Sequence, residues 1–182
     1  VPYIFVRGRF IGGYNALGII VEAELDLAPN TRVERSSQVM ERTAYGEYFK
    51  QTVRSDARAV FHNADLYPPH FARCRAVTWS ETTDFTTEPS RLMRVEPSHL
   101  VYRYSAWAIS ETPLGKWRRE HVFDRLIYSS RVVHWRNYEA GYDVAELEPD
   151  SRHAATYVLQ EYFIPVERFD EFVPRMTEIF QR

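Results

Sequence analysis

Cysteine is almost absent: one residue, Cys74, stands in 182, so no disulfide can close within the chain. That fits a reducing compartment, and a cytoplasmic setting is expected. Charge of one sign is not in excess either. Twenty-three Lys and Arg meet 25 Asp and Glu, for a net charge of -2. The basic residues are scattered, not striped, which argues against a nucleic-acid surface. No apolar run nears the roughly 18 residues of a membrane-spanning helix. The N-terminus lacks the charged-then-apolar pattern of a secretory leader. The chain opens on Val1, not Met, which fits a processed or truncated terminus. His62, His70, His99, His121, His134 and His153 are dispersed, with no His-x-x-x-His, so no metal is expected. Neither a Gly-x-Ser-x-Gly elbow nor a Gly-x-x-x-x-Gly-Lys loop occurs, which leaves a hydrolase reading without a nucleophile. There is no repeat, low-complexity segment or heptad array.

What is present points to a packed α+β domain. Hydrophobic residues make up 45% of the chain and aromatics 15%, enough for a real core. Strict alternation predicts strands over 17–28, 31–40, 57–63, 72–81 and 154–164. In the fourth, Arg73, Arg75, Val77 and Trp79 share a face. Helical spacing predicts helices over 43–54, with Thr43 as cap, and over 98–111, 115–129 and 166–181. Trp117, His121, Val122 and Leu126 mark the spacing of the third helix; Tyr104, Trp107, Trp117 and Tyr128 are expected in the core. In the last helix Phe169, Phe172, Val173, Met176, Ile179 and Phe180 are expected inward, and Pro174 to kink or break it. Residues 82–97 and 137–153 read as irregular. Strands and helices mixed without βα alternation predict a mainly antiparallel sheet with helices packed on one side.

Glycine is scarce, seven residues in all, yet Gly12, Gly13 and Gly18 crowd one short run before the first predicted strand. This Gly12–Ile20 turn resembles the end of the flavin-binding domain in FAD-linked oxidases of the vanillyl-alcohol-oxidase type. Three more stretches, in order, resemble the branch of aldonolactone, alditol and decaprenylphosphoryl-ribose oxidases. They are Ala59–Pro69 with Trp79 and Thr83-Asp84 downstream, Arg136–Ala140 through Tyr142-Asp143, and Tyr157–Pro165 leading into an amphipathic helix. The resemblance implies that 1–28 end the FAD-binding domain and that 29–182 form a C-terminally incomplete substrate (cap) domain. It implies a flavin-domain half not contained in this chain, and a small sugar or polyol as substrate. It implies FAD as cofactor of the full-length protein, not retained by this chain alone. The backbones of Gly12, Gly13, Gly18, Ile19 and Ile20 would contact the cofactor, where a missing Cβ allows close approach. Asn15 stands where the family usually has glycine, a residue type that tolerates the left-handed region.

Glu161 is the catalytic candidate. It shares a strand face with Leu159 and Phe163, and a carboxylate among apolar neighbours is costly to bury unpaired. In the resembling oxidases this position holds Glu or Gln facing the substrate near the flavin. The bland alternative is a solvent-facing edge residue. His62, Asn63 and Asp65 precede a Pro-Pro turn and read either as lining a substrate entrance or as turn chemistry. Cys74 reads as a small buried apolar residue. The functional expectation is a fragment of an FAD-dependent oxidoreductase that oxidises a hydroxyl of a sugar, polyol or aldonolactone-like substrate. The rival is a non-catalytic α+β domain, a remnant or an interaction module. A fragment would expose an apolar docking face able to drive homodimerisation.

Overall fold

Alternating β-branched and polar residues place an extended strand just after the Pro29-Asn30 turn. In the computed structural model, which describes residues 22, 24, 26–93, 105, 107–109, 112–141 and 164–180, this is β1 (Arg32–Glu41). Its chain passes directly into α1 (Arg42–Tyr48), which is extended by one π turn (Phe49–Val53). Thr43 does not cap this helix; Glu41 holds the cap position without a side-chain bond. β2 (Ala59–Leu66) and β3 (Arg73–Thr82) come next as an antiparallel pair. The turn between them contains a cis Pro68–Pro69 bond and Phe71 at φ 51°. It is closed by Tyr67 N–H donating to the Arg73 carbonyl (2.9 Å).

A second helical stretch comprises α2 (Gly115–Arg118), a π turn (Arg119–Phe123) and α3 (Asp124–Ile127). Gly115 is required at its start, because a Cβ there would collide with the carbonyls of Ala108 and Ile109. β4 (Val133–Trp135) and α4 (Arg136–Ala140) come after it, where sequence periodicity signals no regular structure. A 3₁₀ turn (Val166–Arg168) then opens α5 (Phe169–Phe180).

Among the described residues the strands form one antiparallel sheet in the order β2-β3-β1-β4. The α+β class and antiparallel sheet agree with the sequence reading. Val33, Val77 and Trp79 form the core on one sheet face, with Val60, Phe61, Tyr128 and Val132 packed around them. Each such fully buried aliphatic side chain contributes roughly 1.5–3 kcal/mol. On the other face the small residues Cys74, Ala76 and Thr78 let helices approach. There α1 sits on β1 and β3 beside α5, with Tyr45 against Phe169 (ring centroids 5.2 Å).

Four local expectations change. Residues 26–28 are irregular rather than the end of a strand, and Leu27 is exposed. Pro174 does not break α5, which runs through it. Ile179 and Phe180 are exposed rather than in the core, Phe180 lying against the Phe71 ring (centroids 6.3 Å). Trp117, Val122 and Leu126 are exposed, as is Trp107. The third helix therefore turns its apolar side outward. Residues 154–163 of the predicted strand and the glycine-rich turn lie outside the described residues, and Ile164 is irregular.

Candidate functional site

β2 carries three polar residues close in sequence, and strand alternation sets His62 on the face opposite Asn63 and Asp65. His62 points to the α1 face, whereas Asp65 points to the opposite face beside Arg75; the register pairs His62 with Thr78 and Asp65 with Arg75. Asn63 is exposed. The expected His62-Asn63-Asp65 cluster is therefore not one site: His62 and Asp65 belong to two separate polar networks.

The first network has a buried centre, Tyr67, Arg75 and Asp124, and a half-exposed arm, Arg119 and Asp65. Tyr67 donates its hydroxyl proton to Asp124 Oδ2 (2.7 Å) and accepts from Arg75 Nε (2.9 Å). Arg75 Nε also lies 3.7 Å from that carboxylate, and its Nη1 donates to Ser37 Oγ (3.3 Å). Arg119 donates to Asp65 Oδ2 (2.6 Å) and stands 3.9 Å from Asp124 Oδ1. Two cations thus meet two carboxylates. The Tyr128 ring completes the arrangement, with the guanidinium carbons of Arg35 and Arg75 at 4.7 and 4.6 Å from its centroid. Arg35 is itself held by the carbonyls of Ile127 (2.7 Å) and Ser130 (3.3 Å). Burial, then the Asp124 carboxylate, push the Tyr67 hydroxyl up to about 12. Burial raises Tyr128 as well. These groups satisfy one another, so the network acts as a rigid joint between β2, β3 and the second helical stretch. Sequence reasoning misses it. The one signal is Arg73 and Arg75 on an otherwise apolar strand face, which calls for carboxylate partners.

The second network crosses the opposite face. Tyr45 Oη lies 3.0 Å from His62 Nε2, and His62 Nδ1 lies 2.9 Å from Thr78 Oγ1. Tyr45 stacks on the imidazole at 5.9 Å and Phe49 tilts over it at 5.6 Å. Burial lowers the His62 pKa and pushes the Tyr45 hydroxyl up to about 12. Cys74 is fully buried, as expected, and its thiol is pushed up to about 11 by burial first and Glu41 second. This thiol is not an activated nucleophile.

Among the described residues no group of three or more His, Cys, Asp or Glu is placed to hold a metal ion. A surface depression of about 200 Å³ is lined by Ile164, Arg168, Glu171, Phe172 and Arg175. It is smaller than the roughly 300–1,000 Å³ of small-molecule sites. Gly12, Gly13, Gly18, Ile19, Ile20 and Glu161 all lie outside the described residues. No helix among the described residues is long and apolar enough to cross a membrane. Compared with known protein families, curated proteins and solved structures, the chain matches none.

Proposed function

We propose that residues 29–182 serve as the substrate (cap) domain of an FAD-dependent oxidoreductase that oxidises a hydroxyl of a sugar, polyol or aldonolactone-like compound. The flavin supplies the hydride acceptor when bound, and a flavin-binding half supplies its cradle. Glu161 accepts a hydrogen bond from a substrate hydroxyl and so fixes the carbon that is oxidised. The supporting observation is the order of four resembling stretches along one chain. The fold is compatible with that reading. The second stretch, Ala59–Pro69, forms β2 and the tight turn of an antiparallel sheet, and its Asp65 and Tyr67 anchor a helical layer.

The genomic sequence immediately upstream of the Val1 codon provides the first test. An in-frame segment encoding a glycine-rich flavin-binding half is expected. Stop codons or unrelated coding sequence there would remove the catalytic reading and leave a non-catalytic α+β domain. In the full enzyme, Glu161→Ala should lower kcat/KM by about 10–100-fold, the worth of one hydrogen bond to a charged group. An unchanged value would exclude Glu161 from the substrate site.

A further inference from the structure

The stretch Gly115–Ile127 is amphipathic in the reverse sense. Three of its ionic side chains, Arg119, Glu120 and Asp124, face the protein. Arg119 pairs with Asp65 at 2.6 Å, Glu120 with Arg73 at 2.5 Å, and Asp124 with Tyr67 at 2.7 Å. Its large apolar side chains face solvent instead: Trp117 is 54% exposed, Ile127 56% and Leu126 67%, with Val122 and Leu114 also out. The π turn over Arg119–Phe123 produces this outcome. One extra residue in that turn rotates the rest of the helix, so that Asp124 lands on the inward side and Val122 and Leu126 continue the outward line from Trp117.

The outward surface has one sign of charge. Both acids of the stretch, Glu120 and Asp124, are turned inward and paired. Lys116 and Arg125 are exposed beside the apolar residues. His121 stacks on Trp117 at 4.8 Å and steadies the indole at the surface. Trp and aliphatic residues bordered by cations are the composition of a helix lying in a membrane interface. A second copy of the same face is disfavoured, because a two-fold pairing would bring the cations Lys116 and Arg125 of both copies into one interface without an acid from the stretch to pair them.

We propose that Gly115–Ile127 docks the protein on an anionic bilayer surface. Trp117, Val122, Leu126 and Ile127 enter the headgroup–acyl boundary, and Lys116 and Arg125 contact lipid phosphates. The contact is peripheral and reversible, since a single short helix lies on the surface and does not cross it.

The test is flotation of the chain with phosphatidylcholine vesicles, with and without phosphatidylglycerol. The expected result is binding to the anionic vesicles only, weakened by salt. Leu126→Asp should abolish it. Lys116→Ala and Arg125→Ala should each weaken it about 5-fold, the worth of one basic residue near such a surface. All three residues are exposed, so unchanged thermal unfolding will show that the variants fold. No binding to anionic vesicles, or binding unaffected by Leu126→Asp, would overturn the proposal. Concentration-dependent dimerisation lost in Leu126→Asp, without vesicle binding, would assign the face to a second copy and also overturn it.

Discussion

Arg42 holds Asp170 twice: its Nη1 lies 2.9 Å from the carboxylate Oδ1 and 3.5 Å from the backbone carbonyl. That carbonyl is the one whose helical partner is missing, because Pro174, four residues on, has no N–H. A side chain from the start of α1 therefore replaces a main-chain bond inside α5. This relationship explains how the helix runs through a proline, and it ties the two helices together.

Arg42→Ala should destabilise the domain by about 0.5–1 kcal/mol, because it removes an ion pair and a carbonyl bond that lie exposed to water. Pro174→Ala restores the N–H and should make the loss of Arg42 less costly. The double-mutant cycle, read from urea unfolding, should therefore show coupling between positions 42 and 174. Strict additivity would disprove the replacement.

Tyr67→Phe should cost about 1–3 kcal/mol, since it removes one hydroxyl and leaves Asp124 and Arg75 Nε short of a partner in a buried place. Asp124→Ala should cost more, about 3–5 kcal/mol, because Arg75 is then left as a buried cation without its nearest carboxylate. Denaturant midpoints check both. The reverse order would mean that the hydroxyl, not the charge pair, carries the joint.

Stability should form a plateau with pH. His62 has a lowered pKa when folded, so the unfolded chain binds its proton more readily. Stability is then lost as pH falls below about 6.5, the unperturbed histidine value. Tyr45 and Tyr67 are raised from 10.0 to about 12, so they lose stability as pH rises from 10 toward 12. His62→Gln should flatten the acid side of the curve and leave the alkaline side in place. An unaltered acid limb in that variant would assign it to other groups.

β1, β2 and β3 are legible in the sequence because their signal is local. In β3 the alternation of Arg75, Val77 and Trp79 against Cys74, Ala76 and Thr78 is visible in the sequence and recurs in the register with β1. The second helical stretch is also legible, but not the direction of its apolar side. Periodicity marks a stripe without saying what covers it, and the π turn shifts the angle on which that stripe depends. β4 is three residues long, too short for a period, and exists because Val33 pairs with His134. The Tyr67–Asp124 bond spans 57 positions, and nothing local in the sequence selects Asp124 among the acids. Of the candidate site, Asp65 and His62 stand out in the sequence, but as one cluster; only the strand's alternation shows that they serve opposite faces.

The central proposal, that this domain presents a hydroxylated substrate to a flavin held by another part of the same enzyme, has a direct test. The protein is purified from its complete reading frame, and the flavin absorbance is followed on anaerobic addition of polyols and aldonolactones. Bleaching of a bound flavin by one of these compounds, with no stoichiometric FAD retained by the 182 residues alone, is the predicted result. A complete protein without flavin, or 182 residues that purify saturated with FAD, would contradict it.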